Sequence, residues 1–151
     1  MRAKSILIVE DNRQDELLML RALKRTALDC EVDVVRDGQQ ALDYLYCEGE
    51  FSGRSNVLPT VVLLDLSLPR VGGLNVLERL RADMRTQLLP ICVLTSSDEE
   101  CDRQRAYQNG ANSYVRKPLD FEQFADTIAR LVHYWLVINE STSSFATEDT
   151  P

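Results

Sequence analysis

The sequence predicts an α/β fold, a parallel sheet with helices on both faces. Three observations carry this. Short apolar runs rich in Val, Ile and Leu recur along the chain, as in strands buried on both sides. Segments with helical spacing of apolar residues separate them, so that strand and helix alternate five times. Acidic, hydroxyl or basic residues follow these runs, where an open α/β sheet collects its ligands.

The elements follow in order. Ser5-Ile6-Leu7-Ile8-Val9 is a buried strand with the acidic tip Glu10-Asp11-Asn12. Arg13 to Leu28 reads as an amphipathic helix with Leu17, Leu20, Leu23 and Ala27 on its inner side. Glu31 to Val35 alternates Val32 and Val34 with Asp33, a strand less buried than the first. Asp37-Gly38 precedes a helix from Gln39 to Cys47 carrying Ala41, Leu42 and Leu45 inward. Glu48 to Pro59 is a long loop with Gly49, Ser52, Gly53, Ser55 and Asn56.

Val61-Val62-Leu63-Leu64 is the most apolar strand, closing on Asp65, and Pro69 stops further pairing. The turn Pro69-Arg70-Val71-Gly72-Gly73 leads to a helix from Leu74 to Asp83 with Val76, Leu77 and Leu80 inward. Pro90 to Thr95 is an apolar strand ending on a hydroxyl. Asp98 to Asn109 reads as a helix stopped by Gly110, with only Cys101, Ala106 and Tyr107 as its apolar stripe. A helix holding so little core is a candidate for movement or partner contact. Asn112 to Arg116 is a short strand followed by Lys117-Pro118. Asp120 caps the last helix, whose apolar positions are Phe121, Phe124, Ile128, Leu131 and Trp135. Leu136, Val137 and Ile138 add more apolar surface than one helix end buries, which suits a dimer contact. Residues 1–140 form one domain in this reading, and the Ser-, Thr- and acid-rich 141–151 reads as a disordered tail.

The composition is ordinary for a globular protein, with 44% hydrophobic and 27% charged residues. A net charge of −7 argues against nucleic acid as a partner, because no basic stripe exists to neutralise phosphates. No apolar run is long enough to span a bilayer and no signal peptide opens the chain, so a cytoplasmic location is expected. Cys30, Cys47, Cys92 and Cys101 lack metal-site spacing and read as structural or incidental thiols. His133, the single histidine, sits on the last helix as a surface residue, away from any chemistry.

The strand ends gather Glu10, Asp11, Asp65, Thr95 and Lys117. Three carboxylates so close repel unless a cation bridges them. Oxygen-only ligands select a hard ion such as Mg2+ over zinc. A lysine and a hydroxyl beside that ion suit the oxygens of a phosphoryl group, with Asp65 as the nucleophile that accepts it.

Glu10-Asp11, the apolar strand ending in Asp65, Pro69 with Gly72-Gly73, Thr95 and Lys117-Pro118 together resemble a two-component response-regulator receiver domain over residues 4–138. The resemblance implies a flavodoxin-like (βα)5 doubly wound parallel sheet of strand order 2-1-3-4-5. It implies phosphotransfer from a sensor histidine kinase to Asp65, with Asp11, Asp65 and the Ser67 carbonyl binding Mg2+ and Glu10 acting through a metal-bound water. By the same resemblance, Thr95 and Lys117 contact the phosphoryl oxygens and Tyr114 is a rotating switch partner of Thr95. The Lys117–Pro118 peptide would be cis. Ser67 and Ser97 depart from the commonest pattern at positions that influence the lifetime of the acyl phosphate.

Ala41-Leu42-Asp43-Tyr44-Leu45, Gly110-Ala111-Asn112-Ser113-Tyr114-Val115, Asp120-Phe121-Glu122-Gln123-Phe124 and Tyr134-Trp135-Leu136 resemble the small single-domain regulators paired with cyanobacterial phytochromes. That implies a light-sensing kinase partner and a homodimer joined through the fourth helix, fifth strand and fifth helix. With no room for a DNA-binding or enzymatic output domain, the chain is expected to act as a switch through surface contacts and not as an enzyme.

Three other functions share parts of this pattern. An aspartyl phosphohydrolase places a second Asp two residues after the nucleophile, where this chain has Ser67. A flavin carrier needs a hydroxyl-rich phosphate loop after the first strand, and Glu10-Asp11-Asn12-Arg13 would repel the flavin phosphate. A phosphate-independent interaction module with the same fold is the remaining alternative.

Overall fold

The computed structural model describes residues 4–142. The strands are β1 (Ser5–Val9), β2 (Glu31–Val35), β3 (Val61–Leu64), β4 (Ile91–Thr95) and β5 (Ser113–Arg116). All pair in parallel, in the order β2-β1-β3-β4-β5. The chain steps outward from β1 to β2, then crosses back to place β3 on the other side of β1. This reversal opens a crevice beyond the carboxyl ends of β1 and β3, the place where such sheets bind ligands.

The helices are α1 (Arg13–Arg25), α2 (Gly38–Tyr46), α3 (Gly73–Ala82), α4 (Glu100–Gln108) and α5 (Phe121–His133), the last continuing into a π-helical turn at Tyr134–Ile138. Alternate residues of each central strand feed two separate cores. Ile6, Ile8, Val61, Leu63, Cys92 and Leu94 pack against Met19, Ala22 and Leu23 of α1 and Phe124, Ala125, Ile128 and Val132 of α5. Leu7, Val9, Val62, Leu64, Ile91 and Val93 pack on the other face, against α2, α3 and Ala106 of α4. Burial on both faces is why β1, β3 and β4 read as unbroken apolar runs.

The structure corrects several local expectations. In α1 the inward residues are Glu16, Met19, Ala22 and Leu23, while Leu17 is exposed. Glu16 holds its place because Arg36 donates to both of its oxygens, at 3.1 and 2.7 Å. The helix also ends at Arg25, short of Leu28. Thr26 turns its hydroxyl back to the Leu23 carbonyl at 2.7 Å, and Ala27 adopts a left-handed φ of 58°. Helix α4 begins at Glu100 and not at Asp98, since Ser97 Oγ accepts the Glu99 amide and Asp98 pairs with Arg116 at 3.3 Å. Of its expected stripe only Ala106 is buried; Cys101 is exposed and Tyr107 half-exposed.

Lys117–Pro118 is trans and not cis, as no cis peptide occurs among the described residues. X–Pro bonds favour trans by about 0.5–1 kcal/mol, and this peptide follows that preference. The four cysteines are free thiols, with Cys92 buried in the sheet. No helix among the described residues is long and apolar enough to cross a membrane. Residues 143–151 of the expected tail lie outside the described residues.

The turn after β3 is fixed by two glycines. A Cβ on Gly38 would lie 1.8 Å from the Val71 carbonyl oxygen, so this glycine lets the turn lie on the start of α2. A Cβ on Gly73 would lie 2.5 Å from the Asp65 carbonyl oxygen and 2.7 Å from Leu66 Cα. Those are backbone atoms and cannot yield without moving Asp65. Gly73→Ala should therefore cost about 1–3 kcal/mol in urea unfolding. Gly72→Ala, whose Cβ meets nothing within 4 Å, should stay within about 0.5 kcal/mol of the parent.

Candidate functional site at the carboxyl ends of the strands

The extended ends of β1, β3, β4 and β5 deliver Glu10, Asp65, Thr95 and Lys117 to one basin, and all four are buried. Asp11 lies exposed at its rim. Backbone bonds hold the approach: the Asp65 amide donates to the Val9 carbonyl at 3.1 Å and the Lys117 amide to the Thr95 carbonyl at 2.7 Å. Adjacent strands thus set the side chains that follow them to within the precision of the ladder.

The Lys117 ammonium binds three carboxylates: Glu10 Oε1 at 2.7 Å, Asp15 Oδ2 at 2.8 Å and Asp65 Oδ2 at 3.1 Å. The second oxygens have partners as well. Glu10 Oε2 accepts the Asn12 amide at 3.1 Å, and Asp65 Oδ1 accepts the Ser67 amide at 3.1 Å. Glu10, Asp11 and Asp65 each offer a carboxylate oxygen within 4.8 Å of the others. Three hard oxygen donors so close fit a divalent cation such as Mg2+. The residues present therefore suit the ion that the sequence implies.

Charge is uneven in this basin. Burial pushes the Glu10 carboxyl up to about 7; the Lys117 hydrogen bond opposes this and the charge of Asp65 adds to it. Lys117 moves up from its ordinary value. Burial works against its charge, but hydrogen bonds to Asp15 and Glu10 and the field of Asp65 outweigh it. One ammonium surrounded by several acids is strongly held, whereas the most buried acid must share that single cation.

A second set of contacts leads away from the basin. The Thr95 hydroxyl accepts the Ser97 amide at 3.3 Å, and the Ser97 carbonyl accepts the Tyr114 hydroxyl at 3.0 Å. Ser97 Oγ donates to Asp102 Oδ2 of α4 at 2.6 Å. Arg103 of α4 lies 5.8 Å from the Tyr114 ring centre. One loop residue therefore joins the threonine, the tyrosine and the first turn of α4.

The structure brings together Glu10, Asp11, Asp65, Thr95 and Lys117, with Ser67 on the loop just beyond and Tyr114 reached through Ser97. The residue that sequence reasoning missed is Asp15. Its signal was its position one helical turn after Asp11, on the helix that leaves the acidic tip. Within α1 it reads as a favourable first-turn acid, which concealed its reach to Lys117. His133 is exposed at the end of α5, remote in the chain from all these residues.

The chain resembles known proteins over most of its length. Residues 6–129 match the family described as response regulator receiver domain. The chain is 44% identical over 136 residues to the probable methanogenesis regulatory protein FilR2 of Methanothrix harundinacea, covering 90% of this chain and 86% of that protein. The crystal structure of the phosphorylated cyanobacterial phytochrome response regulator RcpA matches with a TM-score of 0.88 at 34% identity, covering 94% of this chain and 100% of the other. The Mn2+-bound form of response regulator Rcp1, a Synechocystis protein, matches with a TM-score of 0.86 at 30% identity over 93% of this chain and 99% of the other.

The raised Glu10 carboxyl has a measurable consequence for metal-free protein. Its folded value of about 7 exceeds the ordinary 4.5, so between these the folded state binds the proton better than the unfolded chain. Stability should then fall as pH rises through that window. Glu10→Gln should remove this part of the slope, a difference on the order of 2 kcal/mol between pH 4.5 and 7.5. Urea midpoints of parent and variant in EDTA would measure it.

Proposed function

The chain belongs to the response-regulator receiver family, and from that premise we propose that it is a single-domain switch whose Asp65 accepts a phosphoryl group from a histidine kinase. The observation that carries this reading is the Lys117 ammonium 3.1 Å from Asp65 Oδ2, with the Glu10 and Asp11 carboxylates gathered beside the same aspartate. Asp11, Asp65 and the Ser67 carbonyl would hold Mg2+, with Glu10 acting through a water. When bound, Mg2+ supplies the positive charge that lets an anionic donor approach these acids.

An Asp65 carboxylate oxygen attacks the phosphorus of the kinase's phosphohistidine. The new O–P bond forms as the P–N bond breaks, and the imidazole leaves with its electron pair. Lys117 and the Thr95 hydroxyl hold the phosphoryl oxygens. The aspartyl phosphate carries a charge near −2 and new acceptor oxygens, which draw the Thr95 hydroxyl away from the Ser97 amide. Because Ser97 also holds Tyr114 and Asp102, its loop shifts, Tyr114 turns inward and the α4–β5–α5 surface changes. Helix α4 moves at low cost since Ala106 is its one buried residue.

Output passes through that surface, by way of a homodimer. Tyr134, Val137 and Ile138 leave apolar area exposed beside it at the end of α5. The likeness to RcpA and Rcp1, with the Tyr134-Trp135-Leu136 signature, supports a phytochrome-type kinase as the donor; the name of FilR2 concerns a different process. The protein works in the cytoplasm in this reading. It takes part in its own phosphorylation and dephosphorylation but turns over no separate substrate.

Incubation with a small phosphoryl donor such as acetyl phosphate and Mg2+ should add one phosphoryl group to the parent and none to Asp65→Asn, read by intact-protein mass. Lys117→Ala should slow the reaction about 10²–10³-fold. Light scattering on the same samples should show more dimer for the phosphorylated parent than for Asp65→Asn. Absence of modification would end the switch mechanism, and equal dimerisation would favour a phosphate-independent module.

A further inference from the structure

Lys117 has three N–H bonds, and all are spent on carboxylates. Two of its partners, Glu10 and Asp65, belong to the group of acids that converges within 4.8 Å to suit a divalent cation. The third, Asp15, stands outside that group. It comes from the first turn of α1, where its backbone amide donates to the capping Asn12 Oδ1 at 3.0 Å. Its side chain is free of that cap and reaches Lys117 Nζ at 2.8 Å. A divalent cation drawn to the Glu10 and Asp65 carboxylates would compete with the ammonium for their charge and repel it. Asp15 has no such conflict.

We propose that Asp15 is a positioning residue that keeps Lys117 docked beside Asp65 when Glu10 and Asp65 turn to a divalent cation. The inference rests on the reading of the basin as a phosphoryl-accepting metal site. Asp15 gives the lysine a place to remain, so cation binding need not expel a buried ammonium with no partner, which is costly. The lysine then stays within reach of Asp65 and of an arriving phosphoryl oxygen. Asp15 touches no reacting atom in this scheme and acts through Lys117.

A binding cycle isolates this coupling. Mg2+ affinity would be measured by titration calorimetry on the full chain, for the parent, Asp15→Ala, Lys117→Ala and the double variant. Asp15→Ala should weaken Mg2+ binding about 5-fold or more while Lys117 is present, and less than about 2-fold without it. Asp15→Asn, which keeps an acceptor oxygen, should fall between parent and Asp15→Ala. Equal factors in both backgrounds would mean that Asp15 acts as a bare charge, and would overturn the proposal. So would an unchanged affinity for Asp15→Ala.

At saturating Mg2+, Asp15→Ala should also accept phosphate from acetyl phosphate on the order of 10-fold more slowly. A parent protein that binds Mg2+ yet accepts no phosphate would overturn the switch reading, while the calorimetric cycle would still judge Asp15. Circular dichroism of each variant guards against loss of fold, and the capping bond through the Asp15 amide survives every substitution.

Discussion

The buried ammonium of Lys117 is the interaction on which the carboxyl end of the sheet depends. It ties together the loop after β5, the end of β1, the end of β3 and the first turn of α1 through bonds of 2.7–3.1 Å. Acids gathered there repel one another, and burying them uncompensated would cost several kcal/mol each. Lys117 makes the gathering tolerable in metal-free protein. Its own burial is in turn tolerable because three acids meet its three donors. Neither set of charges could occupy this place without the other.

The same arrangement explains why the basin can respond to charge. Glu10 is pushed up to about 7 while Lys117 stays firmly protonated, so positive charge is short by the demand of the acids. In the proposed switch a divalent cation meets that demand, and a phosphoryl group then meets cation, lysine and hydroxyl in one place. The rigid sheet aims these groups, since β1 and β3 are buried on both faces and their ladder bonds continue to Asp65. Movement is left to the periphery.

Helix α4 is where that movement has least to oppose it. At its first turn Asp102 holds Ser97, which also binds Thr95 and Tyr114. Beyond its last turn Arg81 donates to the Gly110 carbonyl at 2.9 Å and to Asn112 Oδ1 at 2.9 Å. Asn112 Oδ1 also accepts the Ile91 amide at 2.8 Å, at the opposite end of β4 from Thr95. One end of α4 is therefore anchored to the base of the sheet and the other is tied to the loop nearest the site. In the proposed switch, a helix held this way carries a change at Thr95 outward along α4 and β5.

Much of this was legible in the sequence, for a physical reason. Strands buried on both faces must be apolar throughout, so β1, β3 and β4 announced themselves as runs, and the residues just beyond them had to lie at one edge of a parallel sheet. Glu10, Asp11, Asp65, Thr95 and Lys117 could be placed together on that ground alone. Contacts between elements were not legible, because spacing along one helix says nothing of what faces it. Leu17 looked like core until Arg36 made burial of Glu16 affordable, and Asp98 looked helical until Ser97 and Arg116 held its neighbourhood extended. Asp15 looked like a helix-end acid until β5 delivered Lys117 to it from 102 positions away in the chain. Local composition determined which segments fold and where their tips point; only tertiary structure decided which charges meet there, since that depends on distances the chain does not write down.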